Sequence, residues 1–151
     1  MGPVSAEFEI NIPVEANAAG SYMVSAALGT DAAAEFLVDT GANLSAISGE
    51  LFERVKAQQE VVRVKRVATR LANGKLAAAQ VYRVDTLRLA NACDIAPFEF
   101  VVMKGAKRNL LGMSALAQIA PFAFHVAPAA IGVTRCQQHV LSDTSLASAA
   151  H

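Results

Sequence analysis

The stretch Phe36-Leu37-Val38-Asp39-Thr40-Gly41-Ala42 limits what this chain can fold into more than any other. Phe36-Leu37-Val38 reads as a buried strand, and Asp39 follows it directly. A buried carboxylate is costly unless it is paired, hydrogen-bonded or protonated. Gly41 lets the backbone turn sharply, and its N–H can approach the Asp39 carboxylate. The Thr40 hydroxyl can bond back to main chain and lock the loop. Such a loop presents an acid from a rigid floor rather than from a flexible surface. Three residues alone mark no more than a turn, so the rest of the chain has to decide what the acid is for.

Strand text surrounds this loop. Phe8 to Ile12 alternates apolar and polar, Asn17-Ala18-Ala19-Gly20 signals a turn, and Tyr22 to Leu28 reads as a strand. Gly29-Thr30-Asp31 is a second turn, before a strand over Ala34 to Val38. Ser48 is placed to cap a short helix whose Leu51, Phe52 and Val55 share one face. Strand text then runs from Val61 to Leu89 with Asn73-Gly74 in the middle. That pair predicts a projecting hairpin, Val67 to Leu71 with Lys75 to Tyr82, because both residues accept positive φ. Further strands are expected over Arg83 to Leu89, Pro97 to Met103, Phe122 to Val126 and Ile131 to Cys136. A second short helix is expected over about Ser114 to Ile119, with Ser114 as its cap.

The 151 residues suit one domain, and 54% apolar content suffices for a core. Residues 1–7 are read as a disordered or cloning-derived N-terminus, 8–136 as the folded domain and 137–151 as a disordered tail rich in Ser and Ala. Thirteen basic residues balance thirteen acidic ones, which gives no general reason to expect nucleic acid or an anionic membrane as partner. The basic residues Arg54, Lys56, Arg63, Lys65, Arg66 and Arg70 are read as a solvated strand face, with Val62 and Val64 alternating against Arg63 and Lys65. The most apolar stretch, Ala115 to Val133, is broken by Gln118, Pro121, His125 and Pro128, so no membrane span is expected. The start of the chain has no basic segment followed by a long apolar run, the pattern of a signal peptide.

Cys93 and Cys136 with His125, His139 and His151 show no zinc spacing, so no metal and no cofactor is expected. One disulfide and two buried thiols are both open for the cysteines. There is no phosphate-cradling glycine loop and no His-Glu-x-x-His. Gly112-Met113-Ser114-Ala115-Leu116 has Leu116 where a nucleophile elbow needs glycine.

With these set aside, the chain resembles the retropepsin-like aspartic proteases over roughly Phe8 to Cys136. The likeness rests on three blocks in order: Phe36 to Ala42, the Ala72-Asn73-Gly74 hairpin at the family's flap, and Asn109-Leu110-Leu111-Gly112-Met113-Ser114-Ala115-Leu116, about 70 residues after the first. It is closest to bacterial members, often periplasmic or membrane-anchored. The resemblance implies an all-β fold with one or two short helices, in the form of a closed acid-protease-like β-barrel that is a single lobe. It implies catalysis by Asp39, Thr40 and Gly41 in a homodimer, each subunit lending one Asp39. It also implies a peptide or protein substrate lying between Ala42 and Asn43 below and Ala72, Asn73 and Gly74 above. The implied location is the periplasm or cell envelope, while the lack of an export signal in this sequence leaves the cytoplasm open. Viral members carry a more glycine-rich flap, and an arginine where this chain has Met113, so its dimer must be held differently. Two other readings stay open. One is a catalytically silent dimerisation or peptide-binding module of the same fold; the other is an unrelated small β-protein with Asp39 in a turn.

Overall fold

The computed structural model describes residues 8–29, 31–70 and 73–136. The expected N-terminal tail, C-terminal tail, Thr30 of the second turn and Leu71 and Ala72 of the hairpin tip lie outside the described residues. In chain order the elements are β1 (Ile10–Pro13), β2 (Glu15–Ala16), β3 (Tyr22–Leu28), β4 (Ala32–Val38), β5 (Ser45–Ser48) and α1 (Gly49–Gln58). Then come β6 (Val62–Arg70), β7 (Leu76–Val84), β8 (Leu87–Leu89), β9 (Cys93–Ile95), β10 (Phe98–Met103) and β11 (Asn109–Leu111). The chain finishes with α2 (Met113–Leu116), a 3₁₀ turn (Ala117–Ile119), β12 (Phe122–Val126) and β13 (Ala129–Val133).

The mainly-β expectation is met. A ten-stranded sheet runs in the order β6-β7-β10-β5-β11-β4-β3-β8-β9, with β2 paired to β3. Among the described residues this order is a path from β6 to β9, not a ring of paired strands. A second sheet of three strands has the order β1-β13-β12.

The arrangement around β4 positions the site. β4 and β5 are consecutive in the chain yet do not pair. β11 lies between them, parallel to β4 (Asn109 opposite Phe36, Leu111 opposite Val38) and antiparallel to β5 (Leu110 opposite Ala46). The segment that links β4 to β5 therefore has to loop past the end of β11, and that segment is Asp39 to Leu44. Phe36, Ile47, Phe98, Phe100, Leu111 and Leu116 are fully buried beneath it, each stabilising the fold by about 1.5–3 kcal/mol through its removal from water.

Local chemistry explains most boundaries. Asn17 accepts from the N–H groups of Ala19 (2.9 Å) and Ser21 (3.0 Å), which sets the turn before β3. Ser48 caps α1 as expected, its Oγ accepting from Leu51 N–H at 3.1 Å. Ser114 does not cap α2: Gly112 holds that position, without a side-chain cap, and Ser114 is an exposed residue inside the helix. The expected strand over Arg83 to Leu89 is interrupted at Asp85-Thr86 and becomes the end of β7 and a separate β8.

The β6–β7 hairpin forms, but its turn differs from expectation. Arg70 pairs with Leu76, so residues 71–75 make the connection. Within it only Gly74 takes positive φ (+86°) among the described residues. Asn73 instead accepts from Lys75 N–H at 2.9 Å through its side chain. The longer loop removes the need for two left-handed residues in succession. The alternation expected of β6 is also broken, by a register shift between Arg63 and Lys65. Val64 and Val67 point inward as a result, while Val62 is 46% exposed.

The cysteine alternatives are resolved in favour of a disulfide. Cys93 and Cys136 are bonded (S–S 2.05 Å), tying β9 to the segment after β13. Closing a loop of 43 residues stabilises the fold by about 4 kcal/mol in the chain-entropy view. Replacing both cysteines by alanine is expected to lower the urea midpoint by a corresponding amount, read by equilibrium unfolding. An unchanged midpoint would show that the cross-link restrains little.

Candidate active site

Asp39 leaves β4 at the point where β11 ends. Its N–H donates to Leu111 O at 2.9 Å, which continues the β4–β11 pairing by one bond. Its Oδ1 accepts from Gly41 N–H at 3.0 Å, and its own carbonyl accepts from Ala42 N–H at 3.2 Å. The backbone of Asp39 is thus held on both sides, and its carboxylate by Gly41 N–H. Gly41 serves closeness rather than a left-handed turn: a Cβ there would sit 3.3 Å from Asp39 Oδ1 and press on the carboxylate.

Two expectations about this loop are corrected. Within one chain Asp39 is half-buried rather than buried, and Thr40 and Gly41 are exposed. Among the described residues the enclosed carboxylate is Asp94, 2% exposed, which accepts from Arg88 Nε (2.8 Å) and Nη2 (3.2 Å). That hydrogen bond, and then the attraction of the two charges, raise the Arg88 pKa above its ordinary value. Thr40 does not lock the loop by bonding back to main chain, since its hydroxyl has no hydrogen bond to the described residues. Main-chain bonds from another segment do that work.

The clamp comes from the chain after β11. Met113 N–H donates to Ala42 O at 2.7 Å, and Ser114 N–H donates to Asn43 O at 2.8 Å. Gly112 N–H donates to Ser45 Oγ at 2.9 Å. Ala42 and Asn43 are therefore held by the first turn of α2. Gly112 lies against the loop so closely that a Cβ would meet Leu44 O at 2.5 Å and Ala42 O at 3.0 Å.

Asn109, only 7% exposed, was read as the first residue of the third block but not as the bridge that it forms. Its Nδ2 donates to Glu35 O (3.0 Å) and its Oδ1 accepts from Ser48 N–H (2.8 Å), so one side chain ties β4 to the end of β5. The available signal was a lone Asn at the start of an apolar run. Asn109→Ala removes the partner of the buried Ser48 N–H and one partner of the part-buried Glu35 C=O, an expected loss of about 1–3 kcal/mol, most of it from Ser48. Chemical denaturation measures it; a loss below about 0.5 kcal/mol, the surface norm, would contradict the bridging role.

Of the other residues expected at the site, Asn73 and Gly74 lie at the exposed tip of the hairpin and Ala72 is outside the described residues. The hairpin's inner face, Val64, Val67, Ala79 and Val81, packs with Leu44, Ala46, Val101 and Leu110. Leu44 and Leu110 flank the Asp39 loop in sequence and register, so the hairpin rises from the border of the site. A cavity of about 480 Å³ lined in part by Gln59, Asp85, Thr86 and Arg88 lies at the other end of β3 and shares no lining residue with the Asp39 loop. No group of three or more metal-ligating side chains occurs among the described residues.

An acid anchored at a strand end, a third strand threaded between the two that flank it, and a hairpin at its border define the retropepsin-like aspartic protease fold. A solved structure described as a retropepsin-like aspartic protease from Rickettsia conorii superposes with a TM-score of 0.60 at 21% identity, covering 81% of this chain and 89% of that one. No curated protein sequence matches the chain. The family model described as "gag-polyprotein putative aspartyl protease" matches residues 26–118, and the chain belongs to that family.

Proposed function

We propose that the protein is an aspartic endopeptidase whose active site is completed by a second copy of the chain. The observation that carries this reading is the Asp39 loop itself. Its carboxylate is fixed by Gly41 N–H and by the β4–β11 junction, while Thr40 is exposed and makes no hydrogen bond in the described chain. A chain with one such loop supplies one catalytic carboxylate, and the chemistry needs two. Two-fold pairing brings identical loops face to face. Two carboxylates at close range cannot both ionise, so the pair holds one proton between them, as aspartic-protease dyads do in general.

In this mechanism the ionised Asp39 takes a proton from a water molecule, whose oxygen attacks the scissile carbonyl carbon. The protonated Asp39 gives its proton to the carbonyl oxygen, forming a tetrahedral diol. Proton transfer to the amide nitrogen then lets the C–N bond break, and the dyad regains its shared proton. Thr40 braces the paired loops across the symmetry axis. Ala42 and Asn43, clamped by α2, form the floor under the substrate main chain. The hairpin, with Asn73 and Gly74 at its tip, closes over it and excludes water. The Cys93–Cys136 disulfide supports an oxidising compartment such as the periplasm.

The test is cleavage of a peptide library at about pH 4–6, with sedimentation of the same sample. A self-associating protein that cleaves and is blocked by a pepstatin-like inhibitor is expected. A strict monomer at high concentration, or no cleavage with no inhibitor binding, would overturn the proposal.

A further inference from the structure

The β6–β7 hairpin differs from the rest of the molecule in charge. Val62 to Val84 contains six of the chain's thirteen basic residues and none of its thirteen acidic ones. The remainder carries seven basic residues against thirteen acidic ones, so a neutral chain is split into a cationic hairpin and an anionic body. Arg63, Lys65, Arg66 and Lys75 are exposed and have no ion-pair partner among the described residues. Arg83 lies 3.9 Å from Glu99, and Arg70 donates to Gly74 O at 3.0 Å. β6 is also an end strand of its sheet, so one row of its N–H and C=O groups faces no other strand among the described residues.

Cations on an edge strand protect against unwanted pairing, and one or two would serve for that. Five, on β6 and at the turn, with only Arg83 of β7 set against an acid, amount to a field with one sign. It lies on the hairpin whose inner face packs against Leu44 and Leu110 at the border of the Asp39 loop. We infer that this edge captures extended protein segments carrying acidic side chains, and so selects substrates with acidic residues flanking the cleaved bond. The inference rests on the proteolytic reading for its purpose, though not for its binding step. An extended segment laid beside β6 bonds to the unpaired backbone, while its carboxylates meet Arg63, Lys65, Arg66 and Arg70. The same field raises the encounter rate with acidic chains and weakens with salt. An anionic membrane would be drawn by the charge but has no use for the strand's backbone groups, so a peptide fits both features.

The experiment uses full-length Asp39→Asn protein, which leaves the hairpin intact and consumes no probe. Fluorescence anisotropy follows a labelled peptide of alternating Glu and Thr, a control with Gln for Glu, and vesicles of phosphatidylglycerol. The acidic peptide is expected to bind about tenfold more tightly than the control at low salt, with the gap closing as salt rises. Arg63→Gln/Lys65→Gln/Arg66→Gln is expected to bring the two peptides level, and Arg63→Lys/Arg66→Lys to keep the preference. Thermal melting and sedimentation verify that the triple variant is folded and unaggregated; the single Arg66→Gln, expected to weaken the preference, serves if it is not. Equal binding of the two peptides, or vesicle binding without a peptide preference, would overturn the inference. Cleavage by the wild type is scored separately, so failure of the binding step and failure of the proteolytic reading are distinguishable.

Discussion

Asp39→Asn is expected to abolish peptide hydrolysis while leaving the fold unchanged. The isosteric amide can keep the oxygen that accepts from Gly41 N–H at 3.0 Å, and the backbone bond from Asp39 N–H to Leu111 O does not involve the side chain. What is lost is the ability to take and return a proton, which in general acid–base catalysis is worth about 10²–10⁴-fold. Both subunits lose it together, so the loss should sit at or above the upper end of that range. Circular dichroism and unfolding should be close to wild type. Asp39→Ala removes the oxygen as well and is expected to add a modest loss of stability from an unpaired Gly41 N–H. A variant that still cleaves at near wild-type rate would mean that Asp39 is not the catalyst.

Gly112→Ala is expected to damage both stability and activity, although residue 112 carries no reactive group. An added methyl would stand 2.5 Å from Leu44 O and 3.0 Å from Ala42 O, and both are main-chain atoms of the loop that presents Asp39. Neither can swing aside as a side chain could. Relief requires the loop and the start of α2 to separate, which strains the bonds from Met113 N–H to Ala42 O and from Ser114 N–H to Asn43 O. Overpacking of this kind costs about 1–3 kcal/mol or more. Because the displaced atoms belong to the loop that presents Asp39, kcat/KM is expected to fall by more than the stability loss alone explains. Equilibrium unfolding beside steady-state kinetics separates the two. Wild-type values for both would show that the loop has slack that the close packing does not suggest.

Much of this architecture was legible in the chain. Phe36-Leu37-Val38 is apolar because β4 is central to the sheet, and Asp39 stands out against it. Tyr22 to Leu28 and Phe98 to Met103 alternate or run apolar as buried strands do, and Asn-Gly marked the β6–β7 hairpin. What was not legible depends on distant partners. Cys-Asp-Ile is too short to signal β9, which exists because β8 supplies its ladder. The Cys93–Cys136 pairing follows from a Cα–Cα distance of 5.1 Å, which the spacing of 43 does not encode. The Asn109 bridge and the Gly112 bond join the ends of β11 to β4 and β5, 61 to 74 residues away, and locally no more than a lone Asn before an apolar run announces them. Asp39 was read as buried because its strand is; within one chain it is half-open. On the present account the remaining cover comes from the second copy.

That last point is what a subunit-mixing measurement addresses. Wild-type protein is combined with an equal amount of Asp39→Asn protein at fixed total concentration, allowed to exchange subunits, and assayed for peptide cleavage. If each active site needs one Asp39 from each of two chains, only the wild-type pairs cleave, and activity falls to about a quarter of the unmixed value. If each chain were sufficient by itself, activity would fall only to about half, and the shared site would be contradicted.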